Sequence, residues 1–218
     1  AGPGIAGIAL VDFYLWPVVL RPWARSRYRY KWPYYFSHSG QRALARDTLA
    51  KSLATEADRI IEQHGMSVAL LCMEDVDVPL AKEVLRRRNR SDRARMVSSR
   101  ECNSSQMTSI LRSLDLLLTS RYHAGVLSMA AQVPQIAVGH DLRLEDLYCE
   151  IGMKEEYFLK HSAPNLWEKV RDRVDALVRD PEPARQLLKL GNDEQVKRSL
   201  RNRELLRKFA SEHGWDVR

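Results

Sequence analysis

From the start of the chain to about residue 160, short apolar runs alternate with segments whose apolar residues recur at helical spacing, and this alternation restricts the fold more than any other feature. Runs at residues 5–13, 68–73, Ala94–Ser98, Leu116–Thr119, 135–138 and 156–159 have strand length and little polar content. Such continuous runs suit strands buried on both faces, and each parallel step between them needs a crossover, usually a helix. The crossovers are visible. Leu44, Leu49, Leu53, Ala57, Ile60 and Ile61 predict a helix over 41–64, which Gly65 stops. Pro79 sits near the start of a helix running to about Arg88, and the hydroxyls of Ser104 and Ser105 suit an N-cap. Further helices are predicted over 124–132 and 144–151. The expected fold is α/β, a Rossmann-like parallel sheet with helices on both faces.

Two stretches stand outside the alternation. After the first run comes a long loop of aromatic and basic residues with Pro17, Pro22 and Pro33, ending near Ser39 and Gly40; loops this long are usually functional or mobile. Beyond Pro164 the pattern is helical, broken at Pro181, Pro183 and Gly191. The chain therefore divides into a Rossmann-like domain over 1–163 and a C-terminal helical segment over 164–218, packing on that domain or on an N-terminal half. The first residue is Ala1 and a strand-like run begins almost at once, so an upstream half is expected to be missing. Residues 4–20 are too short for a membrane span and are interrupted by Asp12 and Pro17, and no basic segment precedes them to make a signal peptide.

The three cysteines, Cys72, Cys102 and Cys149, are odd in number and far apart, which fits reduced thiols in the cytoplasm and gives neither a disulfide framework nor a zinc site. The net charge of +7 attracts phosphates, anionic glycans or anionic headgroups equally well and does not choose among them. No nucleic-acid partner, metal or cofactor is expected.

The chemistry concentrates in residues 116–139, LLLTSRYHAGVLSMAAQVPQIAVG. In open parallel sheets, ligands bind beyond the carboxyl ends of the strands. Arg121 and His123 fall between a strand and a helix, where free backbone N–H groups and the helix dipole attract an anion. Arg121 can grip a phosphate or carboxylate with two N–H groups, and His123 can donate a proton or a hydrogen bond near neutral pH. Ser120 belongs to the same turn, and Ala124 and Gly125 leave room for a ligand to approach the backbone. The structural alternative is that Arg121 pairs with a carboxylate of the fold and His123 caps the helix.

This run, with Ser-Arg-Tyr-His-Ala-Gly before a small-residue helix and Val-Pro-Gln-Ile-Ala-Val after it, resembles the R-x-H-A element of the polysaccharide pyruvyl transferase family. MTSILRSLDLLL and CMEDVDVPLAKEVLRR, upstream, resemble the family's preceding segments, so that the likeness spans residues 67–152. The resemblance implies one half of a GT-B-like architecture and transfer of pyruvate from phosphoenolpyruvate to a sugar of a glycan or lipid-linked saccharide, forming a ketal. Arg121 would bind the anionic donor, and His123 would contact its phosphate or protonate the leaving group or the methylene carbon. The implied location is the cytoplasm, or the inner face of its membrane. Two departures bear on the site. Asp12 and Phe13 stand where many members carry an arginine after the first strand, so that Arg21 is a displaced equivalent or the site is altered. Arg143 is the nearest match to a lysine often found after the last motif strand. The family's Gly-Asn/Asp-rich N-terminal start is absent.

His140 is a further candidate on the ligand-binding edge. Glu74, Asp75 and Asp77 form a cluster that could hold a metal or a sugar hydroxyl, although such clusters more often cap the next helix. The remaining histidines, His38, His64, His161 and His213, read as surface residues. Two other functions stay open: a GT-B nucleotide-sugar glycosyltransferase with Glu145 or Asp146 on the ribose, and a non-catalytic anion-binding relative. The C-terminal segment suits a crossing to the other half or contact with a membrane surface.

Overall fold

The computed structural model describes residues 4–9, 11–14, 18–21, 29–36, 40–89, 92–139 and 141–215. Six strands form a parallel sheet: β1 (Ile5–Ala9), β5 (Ser67–Cys72), β6 (Ala94–Ser98), β7 (Leu116–Thr119), β8 (Gln135–Gly139) and β9 (Phe158–Lys160), in the spatial order β6-β5-β1-β7-β8-β9. Counted along the chain this is 3-2-1-4-5-6, the Rossmann order, whose direction of travel reverses between β1 and β7.

Each central strand is apolar on both faces because helices cover both. Ile8, Leu70 and Leu118 face the cluster that includes Leu53, Ile60, Leu80 and Val174. Ala9, Leu71 and Leu117 face the opposite cluster with Met107, Leu111 and Ala124. The first face is covered by α1 (Gly40–His64), α2 (Val78–Arg87) and α7 (Leu166–Arg179). The other carries α3 (Ser104–Arg112) and α4 (Tyr122–Met129), and α5 (Leu142–Glu150) packs against α4 and β8. A short α6 (Lys154–Tyr157) leads into β9, and α8 (Glu182–Glu212) ends the described chain. The sheet, its helical cover and the helical tail are those expected from the alternation.

Several boundaries differ for physical reasons. The first strand ends at Ala9 instead of continuing to residue 13, because Asp12 turns in to bond the backbone N–H of Tyr14. α4 begins at Tyr122, two residues early, so that His123 lies in its first turn, and it ends at Met129 before the left-handed Gln132. The expected loop after β1 contains an antiparallel sheet of β2 (Val18–Leu20), β4 (Tyr34–Phe36) and β3 (Arg29–Lys31). Strands of three residues are too short to show a periodicity. Among the described residues no helix is long and apolar enough to cross a membrane.

Two histidines are more engaged than a surface reading suggests. His64 Nε2 lies 2.8 Å from Asp175 Oδ1, joining α1 to α7, and the His161 ring packs 5.0 Å from that of Phe13. His213 is exposed, and His38 lies outside the described residues.

Candidate functional site

The reversal of strand order opens a crevice of about 760 Å³ beyond the carboxyl ends of the strands. Asp12 follows β1, Glu74 and Asp77 follow β5, Ser99 and Asn103 follow β6, Ser120, Arg121 and His123 follow β7, and Asp141 and Arg143 follow β8; all line it. Five chain segments thus converge where doubly wound sheets hold their ligands.

Hydrogen bonds shape the β7–α4 turn. The Ser120 N–H donates to the Ala9 carbonyl at 3.0 Å, extending the β1–β7 ladder by one step to the reversal point. The buried Thr119 hydroxyl donates to the Arg121 carbonyl and accepts the Arg121 N–H, both at 3.0 Å. A hydroxyl can do both at once, and the pair fixes the extended backbone of Arg121 at the N-cap of α4. His123 follows in the first helical turn, exposed, its ring edge-on to Tyr122 at 5.5 Å.

Arg121 reaches across the end of β1 to the loop after β5. It donates to Asp77, whose side chain is fully buried, and lies 3.0 Å from Glu74, which is 62% exposed. Asp77 in turn accepts the Glu74 N–H at 3.0 Å and returns its own N–H to the Glu74 carbonyl at 3.0 Å. The acidic cluster therefore does what such clusters commonly do, capping the turn before α2, and also anchors Arg121. Burial pushes the Asp77 carboxyl up, and the Arg121 guanidinium draws it part of the way back. The third member, Asp75, is held below its usual range by Arg100 and points elsewhere. Among the described residues no group of three metal-binding side chains is gathered.

The same arginine–carboxylate unit occurs twice more. Asp12, 3% exposed, accepts Arg46 of α1 at 2.5 Å. Asp141 caps α5 by accepting the Arg143 N–H at 2.9 Å and also takes the Arg143 guanidinium. That guanidinium lies 5.8 Å from the Tyr122 ring centre, and its hydrogen bond to Asp141 raises the pKa of Arg143 above its usual value. Each carboxylate lining the crevice thus faces an arginine. Asp12 and Asp77 are buried anchors, whereas Glu74 and Asp141 are accessible partners that an incoming anion could displace.

Of the residues expected at the site, Ser120, Arg121, His123 and Arg143 meet in the crevice. Ala124 and Gly125 lie behind its wall. Ala124 is fully buried, and the Gly125 carbonyl accepts the Ser128 hydroxyl at 2.9 Å and the Gln135 amide at 3.3 Å. Their small size serves the packing of α4, since a Cβ on Gly125 would stand 3.2 Å from Gln135 Oε1. Arg21 is exposed, with its N–H on the Pro33 carbonyl, and is not part of the crevice lining. His140 lies outside the described residues. Glu145 turns to Lys154 at 2.9 Å, away from the lining.

The sequence reading did not single out Tyr122, Asn103 or the pairing of Asp12 with Arg46. Asn103 had a signal: it precedes Ser104 and stands three residues before Gln106, and the two close a reciprocal capping box at 2.9 Å.

No curated protein matches the chain. The model of a family described as polysaccharide pyruvyl transferase matches residues 13–141, a span that takes in Glu74, Asp77, the β7–α4 turn and Asp141. It begins well before and ends somewhat short of the stretch in which the likeness was read. Since it covers more than half of the 218 residues, the chain belongs to the polysaccharide pyruvyl transferase family.

Proposed function

We propose that the crevice binds phosphoenolpyruvate and that the chain contributes the donor site for transfer of a pyruvyl group to two hydroxyls of a sugar. The observation that carries this reading is Arg121, held by buried Asp77 at the N-terminus of α4, beside His123. The donor's phosphate would replace Glu74 on Arg121 and take the first N–H groups of α4, where the helix dipole favours negative charge. Arg143, released from Asp141, would meet the carboxylate.

The reaction balances without a cofactor. The methylene carbon gains a proton, the bond from the central carbon to the phosphate oxygen breaks, and two sugar oxygens bond to that carbon. Of the two hydroxyl protons lost, one makes up the methyl group and the other leaves on inorganic phosphate. Arg121 and the helix N-terminus stabilise the charge gathering on the departing phosphate, the largest effect the site offers. His123 would pass a proton to the phosphate or the methylene carbon. The acceptor, a saccharide of a glycan or its lipid-linked precursor, would be presented by a second Rossmann-like half in a GT-B-like arrangement on the cytoplasmic side. Glu145, one of the two ribose candidates of a nucleotide-sugar reading, is instead paired with Lys154.

The test is release of inorganic phosphate from phosphoenolpyruvate by the whole protein. Release that requires a glycan acceptor and falls at least about 100-fold in Arg121→Ala is expected, by the measure of lost oxyanion donors. Undiminished turnover in both Arg121→Ala and His123→Ala would overturn the roles given to them.

A further inference from the structure

α8 behaves differently along its length. In its first three turns Ala184, Leu188 and Gly191 are buried against the domain. Gly191 makes the approach close, since a Cβ there would stand 2.5 Å from Ile151 Cγ2. Gln195 and Arg198 then reach Glu150 at 2.9 Å and 3.1 Å. From Val196 to Phe209 every residue is exposed, a length of about 20 Å of helix. The next buried residue, Ala210, is covered by the chain's own reversal. Gly214 adopts a φ of +71°, and the Trp215 N–H donates to the Ala210 carbonyl at 2.8 Å. This C-cap brings the Trp215 ring 5.8 Å from that of Phe209.

The exposed length is amphipathic towards its end. At about 100° per residue, Leu205, Leu206, Phe209 and Ala210 fall within one arc of roughly 140°, and Arg203, Arg207 and Lys208 fall outside it. Leu206 is 59% exposed and Trp215 62%. Between residues 196 and 215, Lys197, Arg198, Arg201, Arg203, Arg207 and Lys208 outnumber Glu204 and Glu212; Arg198 is also paired with Glu150 and Glu194, Lys197 with Glu194 and Lys208 with Glu212, at 3.1–3.9 Å. An exposed apolar arc of this kind needs a cover, and the charge decides which. A second copy would bring six cations against six, whereas an anionic lipid surface complements them. Leu, Phe and Trp flanked by Lys and Arg are the side chains that seat a helix at headgroup depth.

We propose that the distal half of α8, from Val196 to Trp215, is a binding surface for anionic lipid. Leu205, Leu206, Phe209 and Trp215 seat in the headgroup region, and Arg203, Arg207 and Lys208 lie against the lipid phosphates. This surface is independent of the crevice and of the reading given to it.

The experiment is co-sedimentation of the chain with vesicles of phosphatidylcholine alone and of phosphatidylcholine mixed with phosphatidylglycerol. Binding is expected only to the mixed vesicles, weakening as salt is raised. The triple variant Arg203→Gln/Arg207→Gln/Lys208→Gln should bind about 100-fold more weakly, at roughly fivefold per charge. Leu206→Ser/Phe209→Ser should also lose binding, with an unchanged melting temperature, since these side chains are exposed in the free protein. The proposal is overturned if the wild type ignores the mixed vesicles or if the Leu206→Ser/Phe209→Ser variant binds as well as the wild type. It is equally overturned if the wild type is a dimer without vesicles and that variant is a monomer, which would make the arc an interface between copies.

Discussion

Neutralising Asp77 and Glu74 separately distinguishes the group that places Arg121 from the one that merely occupies it. Asp77 is fully buried, takes Arg121 on one oxygen, and accepts the Glu74 N–H on the other at 3.0 Å. In Asp77→Asn a single carbonyl oxygen must serve both, and the new amide points an N–H at whichever donor is left. The variant therefore loses a charged hydrogen bond and strands a buried donor. Breaking a buried ion pair from one side costs about 3–5 kcal/mol. For a chain of this size each kcal/mol lowers the melting temperature by about 2–4 °C, so the fall should lie on the order of 6–20 °C. Glu74 is 62% exposed, and an exposed pair contributes about 0–1 kcal/mol, so Glu74→Gln should melt within about 4 °C of the wild type. The two variants should also part in ligand binding. Asp77→Asn frees the Arg121 side chain to wander and weakens phosphate binding, whereas Glu74→Gln removes a competitor for the guanidinium and strengthens it. Thermal unfolding followed by circular dichroism, with a phosphate titration of each variant, checks both. Equal melting temperatures for the two variants, or weaker phosphate binding in Glu74→Gln, would refute the division of roles.

The cysteines should alkylate in the order of their exposure: Cys149 first, half-buried Cys102 more slowly and protected by any ligand filling the crevice, and Cys72 only on unfolding, because burial pushes its thiol up to about 12. Mass spectrometry of partly labelled protein reads that order. In acid, Asp47 and Glu83 should weaken the seam between α1 and α2. Lys51 and Arg87 hold the Asp47 carboxyl down to about 2, and Arg86 and Arg87 hold that of Glu83 to about 2. Both folded values lie below the unfolded ones, so the contribution is whole above about pH 4.5 and is lost as pH falls towards 2. The double variant Asp47→Asn/Glu83→Gln should therefore show a shallower decline in stability over that range, as read by denaturant titrations at stepped pH. Gly139→Ala should destabilise the β8–β9 edge by about 1–3 kcal/mol, because the added Cβ would meet the Phe158 ring at 2.3 Å; an unchanged denaturant midpoint would contradict the packing described.

The central strands were readable because burial on both faces leaves little but apolar residues; β6 and β7 fall where the pattern placed them, and α3 starts at Ser104 as expected, although Asn103 and not a serine hydroxyl caps it. The antiparallel sheet of β2, β3 and β4 was not, since Val18–Leu20 and Tyr34–Phe36 are shorter than any period that could reveal them. At the site, the turn carrying Arg121 and His123 was readable from local chemistry, being a strand end followed by a helix start. Its electrostatics were not. Arg121 is 44 residues from Asp77 and Arg46 is 34 from Asp12, and only the strand order brings each pair together. Gly125 was read as room for a ligand to approach the backbone, whereas the space goes to Gln135, which Tyr148 also bonds at 3.0 Å.

The most direct test of the central claim is a crystal structure of the protein with phosphoenolpyruvate bound. The account predicts the phosphorus atom at the N-terminus of α4, with phosphate oxygens within hydrogen-bond distance of the Arg121 guanidinium, Glu74 displaced, and the contact between Arg121 and Asp77 intact. Phosphoenolpyruvate bound elsewhere on the chain, with Arg121 still paired to Glu74, would contradict it.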